Sequence, residues 1–332
     1  MNRRAAGCFA LIGALGSCGP SPETPLSAPE AVAGVPERSV ASEEPEAKQN
    51  RVFSLVELRK TWTTSVAVSA DREPAPEPPG DVFEKVTYPG PLGDYVAYVS
   101  PAEDGARRPA IVWIPGGFDW GIGQWLWEPA PRENDQTARA FRDAGIVLML
   151  PALRGSNENP GHNECFGGEV EDVLAAAEFV ASRPDVDPDR VYIGGHSTGG
   201  TLALLALEMT DRFRAGFSFG PVTHPIVYGE HGCLPPGVDE VELEVRAPIR
   251  FVSEIVTPTF VIEGTYGNSN MLPVFEASKL SAPVTVIEVL GASHFDVLAP
   301  ATEVIAAEIL RDEGPRASIR IDTAVLSTAM AR

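Results

Sequence analysis

The chain has 332 residues, of which 44% are hydrophobic and 22% charged, and its formal charge is −20. An acidic surface of that size repels phosphate backbones, which argues against nucleic acid as a partner. The length beyond residue 50 suits one α/β domain with a substantial core.

Residues 1–17 read as an export signal peptide, with Arg3 and Arg4 as a positive n-region and Cys8 to Leu15 as an apolar stretch too short to span a bilayer. Leu15-Gly16-Ser17-Cys18 resembles a bacterial lipobox, at which Cys18 is lipidated and becomes the new N-terminus; an ordinary secretory cleavage nearby is the alternative. Both imply export. The first makes the protein a membrane-anchored lipoprotein facing the periplasm or the exterior. Loss of residues 1–17, which hold two arginines and no acid, takes the charge to −22. Residues 18–50 carry six prolines and six glutamates and cannot bury enough apolar area to offset chain entropy, so a disordered linker is expected.

The folded domain is placed at 51–314, with 315–332 as a C-terminal tail. Within it, residues 51–80 give no periodic signal. Asp81 to Tyr88 and Asp94 to Ser100 read as a hairpin through Pro89-Gly90-Pro91-Leu92-Gly93, and Pro109 to Pro115 as a central strand. A helix follows (134–144), then a strand (146–150), a helix (169–182), a strand ending at Gly194 and a helix from Thr201 to Met209. Strands at 215–219, 258–262 and 284–289 and helices at 272–278 and 302–310 complete the pattern. Successive βα units imply a mostly parallel sheet with helices on both faces.

Between the strand and the helix near residue 200, Gly195-His196-Ser197-Thr198-Gly199 fits the G-x-S-x-G nucleophile elbow, a turn that holds its serine in strained backbone. Ser197 is thus the candidate nucleophile. It needs a base, an orienting acid and donors for an oxyanion. Of five histidines (162, 196, 224, 231 and 294), His294 alone combines the chain order Ser, acid, His with a place just after the last strand. His196 is expected to pack beside the nucleophile. The oxyanion hole is expected from the backbone N–H groups of Gly117 and Phe118, in Pro115-Gly116-Gly117-Phe118, and of Thr198.

Pro151-Ala152-Leu153-Arg154-Gly155-Ser156, Gly168-Glu169-Val170-Glu171-Asp172-Val173, Arg183-Pro184-Asp185-Val186-Asp187-Pro188-Asp189-Arg190-Val191, the elbow and Gly291-Ala292-Ser293-His294 together resemble the catalytic domain of the prolyl oligopeptidase (S9) family of α/β-hydrolases, over roughly 109–310. The resemblance implies an α/β-hydrolase fold and a serine hydrolase acting on peptide bonds, with esterase relatives. There are two departures. No β-propeller precedes the domain, and where the family has His-Gly-x-x-Asp after the penultimate strand this chain reads Glu263-Gly264-Thr265-Tyr266-Gly267. The expected Asp is a glycine.

Glu263 is the expected triad acid, since its extra methylene offsets its earlier position; a mere strand-end cap is the alternative. Asn268 and Asn270 carry no charge, and Asp296 follows His294 too closely to face it easily. Phe118 to Trp127, with three tryptophans, is the expected wall of an apolar acyl pocket, unless those rings simply pack on the core. Cys165 and Cys233 lie in Gly-rich loops after predicted strands and form either a disulfide or two buried thiols. No Cys or His pair has metal-ligand spacing and no phosphate loop is present, so neither metal nor cofactor is expected. The expected activity is acyl transfer from a small peptide or ester to water through an acyl-serine. A carboxylesterase of the same fold, or an inactive hydrolase fold serving as a binding lipoprotein, are the alternatives.

Overall fold

The apolar run ending at Ile114 lies in the middle of an eight-stranded sheet. The structure, a computed structural model, describes residues 54–68 and 72–331. Cys8, Cys18 and the 18–50 linker lie outside the described residues, and everything below concerns the unit Arg51–Arg332. The strands are β1 (Glu84–Gly90), β2 (Gly93–Val99), β3 (Arg108–Ile114), β4 (Val147–Pro151), β5 (Val186–His196), β6 (Gly216–Phe219), β7 (Thr259–Gly264) and β8 (Val284–Val289). Their order across the sheet is β1-β2-β4-β3-β5-β6-β7-β8. The β1–β2 hairpin is antiparallel and β2 pairs antiparallel with β4, while every other neighbouring pair is parallel.

The helices are α1 (Leu55–Arg59), α2 (Arg139–Asp143), α3 (Glu169–Ser182), α4 (Thr198–Met209), α5 (Glu240–Glu244), α6 (Leu272–Ser278), α7 (Leu298–Arg311) and α8 (Thr323–Met330). Alternate β3 side chains split between two cores: Val112 and Ile114 join α3 and α4 on one face, Ile111 and Trp113 join α2 and α7 on the other. This burial on both faces is why β3, β4 and β7 read as continuous apolar runs. Each fully buried leucine of α4 (Leu202, Leu204, Leu205) contributes roughly 1.5–3 kcal/mol.

The stretch 54–68, which gives no periodic signal, and the expected C-terminal tail are both tied to the fold by long-range contacts. Within 54–68, Arg59 donates to the carbonyls of Phe166, Gly167 and Val245. Its guanidinium and that of Arg246 both lie over Trp62, 5.3 and 4.8 Å from the ring centroid. At the other end, α8 buries Leu326 in the α2/α7 core. The buried Asp312 ahead of α8 accepts from Tyr192 Oη (2.7 Å), from Arg214 Nε (2.7 Å) and Nη2 (2.8 Å), and from Ser318 N (2.9 Å).

Candidate active site

The site is built where β5 turns into α4. Ser197 has φ 56° and ψ −114°, a conformation that costs a non-glycine residue on the order of 1–3 kcal/mol. It is held there because Ser197 N donates to Phe219 O at 2.7 Å, while Thr201 N donates to Ser197 O at 3.0 Å. No side chain fits at either flanking glycine. A Cβ on Gly195 would lie 2.4 Å from Gly199 O, and one on Gly199 would lie 2.0 Å from Ile114 O.

His294 follows β8 and meets Glu263 from the adjacent β7. Its Nδ1 donates to Glu263 Oε2 at 2.7 Å. Glu263 is 1% exposed, and its carboxylate also accepts from Gly264 N (2.7 Å, on Oε1) and Asn268 N (2.9 Å, on Oε2). Three donors on a buried carboxylate fix its position. Asp296 does not compete, because its Oδ1 accepts from Ser293 N at 2.7 Å and closes the turn before His294. Asn268 instead donates its side chain to Gly220 O at 3.0 Å.

His196 is buried and its ring lies 4.5 Å from that of His294. Its Nε2 is 2.9 Å from His294 O and its Nδ1 is 3.3 Å from Gln136 Oε1. Burial, and then the neighbouring His294, push its pKa down to about 3.

Of the three expected oxyanion donors, Gly117 is the one the geometry removes. Its N–H donates to Thr198 Oγ1 at 2.9 Å, and the same hydroxyl donates back to Gly117 O. Phe118 and Thr198 keep their N–H groups; Thr198 opens α4, where the first N–H groups have no partner within the helix. Gly117 still matters as a shape, since its φ of 116° is one that only glycine takes readily.

The tryptophan-rich loop splits between the two cores. Trp127 packs on Tyr98 at 5.1 Å and Leu126 is buried, both on the α2/α7 face, and Trp125 is exposed. Only Phe118 and Trp120 lie on the nucleophile's face. Trp120 packs in the core there, and sequence reasoning missed the rings it and Phe118 pack against, Phe166 and Tyr228. Phe118 meets Tyr228 edge-on at 5.0 Å, Trp120 meets Phe166 at 5.1 Å, and Phe166 stacks on Tyr228 at 6.1 Å. The Tyr228 hydroxyl sits 3.2 Å from Thr201 Oγ1 and interacts with the Ser197 side chain, and burial pushes its pKa up to about 12. Both rings come from loops joined by the Cys165–Cys233 disulfide, whose Cα atoms are 5.5 Å apart. Cys165 and Phe166 both have positive φ (56° and 67°), and Arg246 and Arg59 clamp their carbonyls at 2.8 and 3.0 Å.

Two of the motif segments form one support behind these rings. Arg154 donates through its backbone N, Nε and Nη2 to the buried Asp172 at 2.8–3.0 Å, lying across the start of α3. A Cβ on Gly168 would fall 1.4 Å from the Arg154 guanidinium, so Gly168 is needed for the crossing. Ser156 Oγ donates to Asp119 O and Asn163 Nδ2 to Phe118 O, so this loop also holds the oxyanion strand's exit.

Residues 133–265 match the model of the prolyl oligopeptidase family, a stretch that includes Ser197 and Glu263 and ends before His294. An uncharacterized peptidase of Bacillus subtilis (strain 168), YtmA, is 30% identical over 137 residues, 37% of this chain and 53% of its own. A second from the same organism, YuxL, is 21% identical over 281 residues, 68% of this chain and 41% of its own. The chain thus spans about half the length of these curated relatives. Among solved structures, the Pyrococcus horikoshii acylaminoacyl peptidase superposes with a TM-score of 0.57 at 15% identity, over 74% of this chain and 44% of that one. The hyperthermophilic esterase of Pyrobaculum calidifontis gives 0.51 at 20% identity, over 77% of this chain and 88% of that one. Sheet order, helix placement and these superpositions agree: the chain has the α/β-hydrolase fold, and its residues 133–265 are similar to the prolyl oligopeptidase family.

Proposed function

We propose that this chain is a serine hydrolase of the prolyl oligopeptidase type that cleaves a peptide or other acyl bond through an acyl-serine intermediate. The observation that carries the reading is the 2.7 Å bond from His294 to the buried Glu263, with the ring of His196, the residue before the strained Ser197, 4.5 Å from that of His294. In this reading His294 takes the Ser197 proton as Oγ attacks the carbonyl carbon, and Glu263 holds the imidazole in one tautomer and stabilises the cation that forms. The oxyanion is received by the N–H groups of Phe118 and Thr198. His294 then gives its proton to the leaving group, and water, activated by the same base, releases the acid. Labelling with a fluorophosphonate probe tests this: wild-type protein should take the label on Ser197 and Ser197→Ala should take none. Full labelling of the variant would overturn the reading.

A carboxylesterase is the second reading, favoured by the 88% of the Pyrobaculum esterase that the chain covers, against 44% of the acylaminoacyl peptidase. Rates on a p-nitrophenyl ester beside aminoacyl anilides separate the two. Export as a lipoprotein anchored at Cys18 belongs to the same proposal. It is supported by the lipobox-like sequence and by a disulfide suited to an oxidising compartment. Cys18→Ser should move the protein out of the membrane fraction, and unchanged fractionation would refute the anchor.

A further inference from the structure

We infer that His196, the residue before the nucleophile, is a positioning residue that holds the loop of the catalytic histidine through its Nε2–H bond to the backbone carbonyl of His294; the inference rests on the hydrolase reading above. The bond is 2.9 Å long and lies inside the protein, with the His196 residue 1% exposed. Both ring nitrogens face oxygens that only accept, His294 O at 2.9 Å and Gln136 Oε1 at 3.3 Å, and a neutral ring has one N–H; the shorter contact takes it on Nε2, and the Nδ1 contact is then not a hydrogen bond. With its pKa near 3, the ring is neutral wherever such an enzyme would work.

Glu263 alone leaves His294 incompletely held. The Glu263 bond fixes the imidazole at Nδ1, and the residue rides on a turn, Gly291 to Asp296, that is closed by short-range bonds from Asp296 and Ser293 and tied to the exit of β7 by Tyr266 N on Ala292 O at 2.9 Å, two residues before His294. His196 supplies the bond that ties this turn to the elbow itself, 98 residues away in sequence. The imidazole thereby has two anchors, one on its ring and one on its own backbone, and the second belongs to the neighbour of the serine it must serve.

His196 also touches the third part of the machinery. A Cβ on Gly116, at the exit of β3, would lie 3.0 Å from His196 Nδ1 and 3.2 Å from His196 O. Its ring meets Phe295, the residue after His294, at 5.5 Å. Elbow, oxyanion strand and histidine turn therefore share one neutral side chain. Neutrality has a purpose, because a charged ring 4.5 Å from His294 would oppose the imidazolium formed during acyl transfer.

The test compares His196→Phe, which keeps a ring against His294 and Phe295 but has no donor, with His196→Gln, which keeps a side-chain N–H. Turnover of a p-nitrophenyl ester is measured per mole of fluorophosphonate-reactive serine, so misfolded protein does not count. His196→Phe should lower kcat about 10- to 100-fold with KM within about twofold, since an error near 1 Å in placing a catalytic group costs on that order. His196→Gln should recover most of the loss. Wild-type kcat in His196→Phe, or equal losses in both variants, would overturn the assignment while leaving the hydrolase reading intact. Wild-type protein that takes no fluorophosphonate would overturn both.

Discussion

The carboxylate of Glu263 stands in the volume that a side chain at position 267 would need. A Cβ on Gly267 would lie 2.5 Å from Glu263 Cδ and 2.5 Å from Oε1. Glutamate at the strand end and glycine where the family has Asp therefore go together: the Glu263 carboxylate occupies space that a side chain at 267 would need. Glu263→Gln should keep the fold and lower kcat by roughly 10³–10⁴, as loss of the orienting carboxylate does in other triads. The paired variant Glu263→Ala/Gly267→Asp should then regain at least about tenfold over Glu263→Ala alone. Near-normal turnover in Glu263→Gln would remove Glu263 from the triad.

Thr198 contributes more than a backbone donor. Its hydroxyl takes the Gly117 N–H at 2.9 Å and donates to Gly117 O, which ties the β3 exit to the elbow. Thr198→Val keeps the shape and removes both bonds. Turnover should fall about 10- to 100-fold, the scale seen when an oxyanion site loses its geometry or a donor. Thr198→Ser should stay close to wild type. Equal rates in the Val and Ser variants would show that the hydroxyl does not matter.

The parts of this site that were legible in the sequence are those where local pattern and tertiary structure ask for the same thing. α3 begins at Glu169 and ends at Ser182, where the apolar spacing put it, and β8 covers 284–289 as the alternation implied. The helix expected over 134–144 is shorter. Asp135 bonds the N–H of Thr137, Ala138 takes φ 53°, and α2 starts only at Arg139, so a local side-chain bond defeats the helical pattern. Arg59, Trp62, Phe166 and Tyr228 were out of reach for another reason. Their partners lie in distant segments, 107 residues away for the Arg59–Phe166 bond, and neither periodicity nor motif encodes such pairs. The elbow could be read because its glycines are forced by contacts under 3 Å within a few residues and one neighbouring strand.

The Cys165–Cys233 disulfide closes a separation of 68 residues and joins the two loops that carry Phe166 and Tyr228. Constraint of the unfolded chain by such a link is worth about 2–4 kcal/mol. Reduction should lower the denaturation midpoint accordingly. It should also weaken turnover, because the loop that carries Tyr228, which interacts with the Ser197 side chain, loses its tie. Denaturant titrations with and without reductant, read with the activity in each, check both effects. An unchanged midpoint would mean that the arginine clamps on Cys165 and Phe166 and the ring packing of Tyr228 already hold these loops.

Glu208 is 5% exposed, and neither of its carboxylate oxygens has a hydrogen-bond partner among the described residues. Burial above all, reinforced by the Glu254 carboxylate and only partly opposed by Arg59, pushes its pKa well above the usual value near 4.5. The folded protein therefore holds a proton on Glu208 at a pH where the unfolded chain has released it. By linkage, stability is greatest below about pH 4.5 as far as this group is concerned, and is lost as pH rises from there towards the raised folded-state value. Glu169, fully buried and pushed up to about 8 mainly by burial, acts in the same direction between about pH 4.5 and 8. Glu208→Met keeps a similar volume and removes the titrating group. It should raise stability by about 1–3 kcal/mol at pH 8, the scale of an unsatisfied buried polar group, with a smaller gain at pH 5. Melting temperatures of both proteins at pH 5, 7 and 9 should diverge with increasing pH, while Glu169 continues to titrate in each. Parallel curves would show that Glu208 is either partnered or ionised in the folded state, and that the acid-side stability has another source.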